Sequence, residues 1–195
     1  MTRLLDVILA LLIIIVFSPL FILLAIWIKL DSAGNIFYKQ LRVGKNNKDF
    51  WLYKFRSMKV GADKESLLTY SSGDGRITRP GRFIRRYKLD ELPQLYNVFI
   101  GEMSMVGPRP EVRKYVNLYT DEQMKILSVR PGVTDIASIV YYNENAILEM
   151  QENPEACYIN TIMPDKIRLN QEYINNPSVK NYFNILFNTA RRVLK

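Results

Sequence analysis

The sequence predicts an α+β protein whose small, mostly helical polar domain follows a membrane-anchoring helix. Three observations predict it. The first is a run without a charged residue from Val7 to Ile28, VILALLIIIVFSPLFILLAIWI. The second is the alternation of apolar and polar residues on both sides of GKNNKD, which marks a β-hairpin. The third is a series of short helical spacings after residue 79, without the strand–helix rhythm of a doubly wound sheet.

The apolar run is longer than the roughly 20 residues that span a hydrocarbon core. It is too long for the apolar region of a signal peptide, and no small-residue cleavage site follows it. Residues 1–29 therefore read as a permanent membrane element and residues 30–195 as the polar domain. Pro19 removes one helical hydrogen bond near the middle of the run, and the hydroxyl of Ser18 can satisfy a freed backbone group in lipid. Two readings follow: a kinked helix that spans, or one that breaks, turns back and re-emerges where it entered. Arg3 before the run and Lys29 after it give both ends a cytoplasmic preference. A straight span would leave only Met1–Asp6 outside, at small cost, so the residues alone leave both readings open.

The 195 residues suit one domain plus a short appendage and carry a formal charge of +8. Arg3 and Asp6 cancel within residues 1–28, so the whole excess lies in the polar part. Such a domain is drawn to phospholipid headgroups, nucleotides, phosphorylated substrates or nucleic acid. A single cysteine, Cys157, excludes an intrachain disulfide. The absence of histidine excludes a Ser-His triad and a His-ligated zinc site. Acid–base work then falls to carboxylates, lysine or tyrosine. Any metal would be a hard cation on oxygen ligands, magnesium first.

Along the polar part, the hairpin strands are expected near 36–42 and 49–55. VGADKESLLTYSSGDGR reads as a short helix and a loop. PGRFIRRYKLDELPQLYNVFIGEM reads as two short helices around an acidic pair, with Pro93 in the first turn of the second. SMVGPRPEV is too rich in proline for regular structure. TDEQMKILSV opens with a capping box, Thr120 with Gln123, and RPGVT makes a turn. NAILEMQ and MPDKIRLNQEYI have helical spacing. In the last segment Val179, Tyr182, Phe183, Leu186, Ala190 and Val193 share one face, and Lys180, Arg191, Arg192 and Lys195 make the other basic. That helix either packs on the core or lies in the headgroup layer.

No GxxxxGK[ST], GxSxG or GxGxxG motif occurs. The acidic pair, Asp90 and Glu91, cannot mirror each other, because helical neighbours diverge by roughly 100°. They suit different tasks, such as nucleophile and metal ligand. The plain alternative is a surface ion pair between Arg86 and Asp90, four residues apart and worth a few tenths of a kcal/mol. Context favours chemistry. Arg82, Arg85 and Arg86 share a helical face and would repel unless an anion lies among them. Arg109, between Pro108 and Pro110, is offered from a stiff platform and can grip phosphate with a bidentate fork. Lys54 and Arg56 add two cations on one face of a strand. An aspartate can attack phosphorus, with arginines and magnesium offsetting the charge repulsion.

IFYKQLRVGKNNKDFWLYKFRSM, RITRPGRFIRRYKLDELPQLYNVFIGEMSMVGPRPE and RPGVT together resemble the bacterial sugar transferase family, the monotopic phosphoglycosyl transferases, over nearly the whole chain. The likeness is to the minimal form, one membrane helix and a catalytic domain. The resemblance implies transfer of a sugar-1-phosphate from a UDP-sugar to undecaprenyl phosphate, releasing UMP, through a covalent aspartyl-phosphosugar intermediate. This is the first membrane step of capsule, O-antigen, exopolysaccharide or glycoprotein assembly. It implies Asp90 as nucleophile, Glu91 as its partner, magnesium held at this pair, and phosphate contacts from Arg109 and Arg85. It also implies a re-entrant helix broken at Ser18–Pro19, a place on the cytoplasmic face of the inner membrane, and downstream glycosyltransferases as partners.

Three departures from the family pattern stand out: Lys88 where a small residue is usual, DIASIVYYNEN where GWAQVNGR is common, and Asn170 in place of an aspartate. They keep open a non-catalytic, membrane-tethered partner protein. Charge alone would also suit a nucleic-acid-binding module, but that leaves LDELPQL and GPRPE unexplained, so no nucleic acid partner is expected.

Overall fold

The computed structural model describes residues 2–62 and 74–193. Of the helix and loop expected at 60–76, residues 63–73 lie outside the described residues. Helix α1, Thr2–Asp31, is followed by the antiparallel hairpin β1 (Phe37–Val43) and β2 (Asp49–Phe55). Then come α2 (Arg79–Arg86), a 3-10 turn at Leu89–Glu91, and α3 (Gln94–Ile100). Strand β3 (Ser104–Val106) pairs in parallel with β4 (Gly132–Thr134) across α4 (Arg113–Val116) and α5 (Asp121–Met124). The rest is helical: α6 (Ile136–Val140), α7 (Glu144–Glu149), α8 (Pro154–Cys157), α9 (Met163–Asn175) and α10 (Val179–Val193).

Helix α1 is long and apolar enough to cross a membrane, about 45 Å at 1.5 Å per residue. It is continuous through Ser18 and Pro19. Proline withdraws the N–H that would have reached the Ile15 carbonyl, and the Ser18 hydroxyl donates to that same oxygen at 2.8 Å. Any re-entry is therefore made without leaving the helical conformation. One stripe of α1, Asp6, Ala10, Leu24 and Ile28, is buried against the domain, spaced as a single helix face. Leu4, Leu12, Ile15, Ile22, Leu23 and Leu30 are exposed along the rest of its length.

Both ends of α1 are tied to the domain. At the front, Arg3 donates to the carbonyls of Val98 (2.6 Å) and Phe99 (2.9 Å), the last turn of α3. One turn on, the buried Asp6 carboxylate accepts from Ser104 Oγ, the Met105 N–H and the Tyr182 hydroxyl. At the back, Arg56 donates to the carbonyls of Ile28 (3.1 Å), Ser32 (2.7 Å) and Ala33. Gly34 makes room: its φ is +120°, and a Cβ there would lie 2.1 Å from Arg56 Nη1.

The principal core joins α1, the hairpin, α3, β3 and α10 through Ala10, Leu52, Val98, Met103, Met105 and Tyr182. A second lies among the later helices, around Tyr115, Leu148, Tyr158 and Ile162. Asn97 joins α3 to the hairpin. Its amide donates to the Trp51 carbonyl (2.7 Å) and accepts from the Tyr53 N–H (3.1 Å), pairing the free edge of β2 as a strand would. On α10 the expected single apolar face is split. Tyr182 and Ile185 are buried, whereas Val179, Phe183 and Phe187 face outward.

Candidate active site

The acidic pair sits on the 3-10 turn between α2 and α3. Thr78 caps α2 by accepting the Gly81 N–H at 3.0 Å, and Pro93, already in the helical conformation, precedes the first residue of α3. Between the helices the chain reverses at Lys88, which adopts the left-handed conformation (φ 54°). This gives the departure at Lys88 a physical meaning: the position asks for a residue that tolerates positive φ, and here a lysine accepts it.

Asp90 is 7 % exposed, and its carboxylate takes part in no hydrogen bond or ion pair among the described residues. Burial, and then the adjacent Glu91 carboxylate, push its pKa up, against the pull of Lys54, Arg85 and Lys88. Glu91 is the reverse case. Arg109 grips its two oxygens in a fork, Nη1 to Oε2 at 3.0 Å and Nη2 to Oε1, and Lys54 Nζ lies 3.5 Å from Oε1. Burial raises the Glu91 pKa, but Arg109 and Lys54 outweigh it and hold the carboxyl well below the usual range. Burial lowers Lys54 to about 8 despite Glu91, and the Arg109 guanidinium is held firmly protonated by Glu91.

The Pro108–Arg109–Pro110 platform is fixed at each residue. The Pro108 carbonyl accepts from the Gly132 N–H (2.9 Å), the Arg109 N–H donates to Asp135 Oδ2 (2.9 Å), and the Pro110 carbonyl accepts from Arg42 (3.1 Å). Only glycines allow this approach, because a Cβ on Gly132 would lie 2.1 Å from the backbone nitrogen of Gly107. Arg42 also bonds Gln40 and Glu111, and Glu111 accepts the Tyr158 hydroxyl, so the platform is joined to the hairpin and to the helical core.

The structure thus brings together Asp90, Glu91, Lys54 and Arg109, with the charge of Arg85 acting on Asp90. It does not bring Arg56. Strand β2 ends at Phe55, so alternation no longer governs the next residue, and the Arg56 guanidinium caps α1. Arg86 is exposed, with its guanidinium over the Tyr87 ring (5.7 Å), and makes no ion pair with Asp90. Asp135 and Arg42 escaped the reading of the sequence. Asp135 had a local signal, an N-cap aspartate three residues before Ser138. Arg42 had none.

The departures meet in pairs. Asn170 Nδ2 donates to Asp135 at 2.7 Å, and Lys88 Nζ lies 5.8 Å from the centre of the Tyr142 ring. Oxygen donors suit a hard divalent cation. Asp90 has free oxygens for one, whereas both oxygens of Glu91 are engaged by Arg109. No cluster of three or more His, Cys, Asp or Glu side chains that could hold a metal occurs among the described residues.

A sequence profile described as bacterial sugar transferase matches residues 1–195. The UDP-glucose:undecaprenyl-phosphate glucose-1-phosphate transferase of Xanthomonas campestris pv. campestris is 35% identical over 193 residues, covering 97% of this chain and 38% of that protein. The protein of the same name from Escherichia coli (strain K12) is 35% identical over 189 residues, covering 95% and 38%. The UDP-N-acetylgalactosamine-undecaprenyl-phosphate N-acetylgalactosaminephosphotransferase of Aeromonas hydrophila is 43% identical over 139 residues, covering 70% and 33%. The chain therefore spans about a third of the length of these curated relatives.

Proposed function

Because the chain belongs to the bacterial sugar transferase family, we propose that it transfers a sugar-1-phosphate from a UDP-sugar to undecaprenyl phosphate and releases UMP. One observation carries this reading. Within a single 3-10 turn, Asp90 is left without partners while Glu91 holds two cations beside it. A free carboxylate facing fixed positive charge suits attack on a phosphoryl group.

On this reading an Asp90 oxygen attacks the phosphorus that carries the sugar. The O–P bond to Asp90 forms, the bridging P–O bond breaks, and its electron pair leaves with UMP. An oxygen of undecaprenyl phosphate then attacks the same phosphorus, and Asp90 is released as a carboxylate. Arg109, Lys54 and Arg85 offset the charge of the phosphates. Glu91 orients Arg109 and Lys54, and their charges, against the effect of burial, keep it ionised. Magnesium would be held by Asp90 together with substrate oxygens, with Glu91 joining if Arg109 moves to the phosphate. When bound, it would supply charge neutralisation at the transferring group.

We also read α1 as re-entrant, with the domain on the cytoplasmic face of the inner membrane. What supports this is that Arg3 and Asp6 at one end and Ile28–Ala33 at the other bond the same domain. The exposed apolar residues of α1, with Phe183 and Phe187 of α10, give that domain a surface suited to lipid. Its product would feed glycosyltransferases that extend a lipid-linked glycan.

The test is a screen of purified protein for magnesium-dependent UMP release from UDP-sugars, with undecaprenyl phosphate as acceptor. UDP-glucose and UDP-N-acetylgalactosamine come first. Release that needs the acceptor and is lost in Asp90→Asn is the expected result. Full turnover by Asp90→Asn would remove the nucleophile assignment.

A further inference from the structure

Asp135 is 1 % exposed and accepts three hydrogen bonds. Oδ1 takes the Ser138 N–H at 2.5 Å, and Oδ2 takes Asn170 Nδ2 at 2.7 Å and the Arg109 N–H at 2.9 Å. The first caps α6 and the second ties α6 to α9. The third ties the Pro108–Arg109–Pro110 segment, which carries a residue of the site, to the start of α6. Prolines lack an N–H, so Arg109 carries the only main-chain donor in Pro108–Arg109–Pro110. The carbonyls of Pro108 and Pro110 are held by Gly132 and Arg42. The Pro108 carbonyl and the Arg109 N–H belong to one peptide, which the Gly132 N–H holds at its oxygen and Asp135 holds at its nitrogen. The base of the Arg109 side chain is thereby fixed, and its guanidinium falls on Glu91.

We propose that Asp135 is a positioning residue for this site: by anchoring the Arg109 N–H, it aims the Arg109 guanidinium at Glu91 and at the phosphate that the site takes. The assignment rests on the phosphoryl-transfer reading given above. Asp135 acts only through Arg109.

The geometry says which substitution separates this role from folding. In Asp135→Asn the side-chain oxygen can stay on the Ser138 N–H and keep the cap. The new NH2 then faces Arg109 and Asn170. Asn170 Oδ1 is buried without a partner among the described residues, so the amide can turn and accept from it. Only the Arg109 N–H is left without an acceptor. Asp135→Ser also keeps a good cap, but its shorter side chain releases Asn170 as well as the Arg109 N–H.

The test is a double-mutant cycle on the full chain in lipid nanodiscs, read as kcat for UMP release. Asp135→Asn alone should lower kcat roughly 10- to 100-fold. On an Arg109→Ala background the same change should have an effect of about twofold or less, because the residue it acts through is gone. Equal losses on both backgrounds would overturn the proposal. If Arg109→Ala turns over normally, or no donor is turned over, it is the phosphoryl-transfer reading that fails. The anchor itself is then judged by hydrogen exchange of the Arg109 amide. Protection in the native chain that is lost in Asp135→Asn, with α6 unchanged, is expected. The same exchange in both proteins would overturn it. If Asp135→Asn fails to fold, Asp135→Ser replaces it in both measurements.

Discussion

The guanidinium of Arg109 and the carboxylate of Glu91 meet in a fork–fork pair, with Nη1 on Oε2 at 3.0 Å and Nη2 on Oε1. Two parallel bonds fix the plane of the arginine as well as its position, which a lysine could not do. Lys54 adds a second cation to the same carboxylate. Glu91→Gln keeps the shape but removes the charge. It should lower kcat about 100-fold and cost roughly 1–3 kcal/mol, between the values for exposed and buried pairs. Steady-state kinetics and thermal melts check both, and a variant unchanged in each would show the fork to be idle.

Asp90 should show the opposite balance between stability and function. Burial and the neighbouring Glu91 raise its folded pKa above the unfolded value. Above that folded pKa the group is a buried charge that the unfolded chain solvates better, so its ionisation destabilises the fold at neutral pH. Asp90→Asn should therefore melt at a higher temperature at pH 7 while losing at least about 10³-fold in turnover. The gain should shrink as pH falls and Asp90 is protonated in the parent protein. A lower melting temperature at pH 7 would contradict the assignment.

Lys54 should set the basic limb of the activity profile. Its folded pKa is about 8 against 10.5 for the free side chain, with burial as the largest cause. Between these values the unfolded chain holds a proton that the folded chain has released, so the Lys54 contribution to stability rises with pH across this window. Activity should move the other way, because loss of the Lys54 charge weakens the hold on Glu91 and on phosphate. A fall in kcat as pH rises through about 8 is expected, and Lys54→Arg should shift it to higher pH. Profiles of activity and melting temperature from pH 6 to 10 would reveal both slopes.

What could be read in the sequence was local. The hairpin about GKNNKD, the capping box of Thr120 and Gln123, and the acidic turn beside Pro93 each depend on residues a few positions apart. What could not be read was contact at long range. Arg56 looked like a partner of Lys54 because alternation was extended one residue beyond the strand, and its true acceptors lie on α1. Asp6 looked like a flanking charge that Arg3 cancels, yet its carboxylate bonds Tyr182, 176 positions away. The loss of an aspartate at Asn170 acquires a meaning only with Asp135 facing it across the fold. The apolar spacing of α10 fitted either a core or a lipid contact, and the structure divides its residues between an inward and an outward face.

The placement of α1 gives the last expectation. A helix that crossed the bilayer would carry Arg3 and Asp6 to the side opposite the domain. Instead Arg3 binds the end of α3, and Asp6 accepts the Tyr182 hydroxyl (2.8 Å) and the Met105 N–H (3.0 Å). Moving this end across the membrane would strip a buried carboxylate of its donors and leave those donors unpaired, at several kcal/mol. Thr2→Cys and Leu30→Cys, each made in a Cys157→Ser background, should therefore react with a membrane-impermeant maleimide from the same side, the side on which the domain is cut by protease. Labelling of the two from opposite sides would establish a span. Asp6→Leu adds an energetic check: it removes the acceptor for three donors and should destabilise the domain by about 3 kcal/mol, although a leucine suits lipid better than an aspartate does.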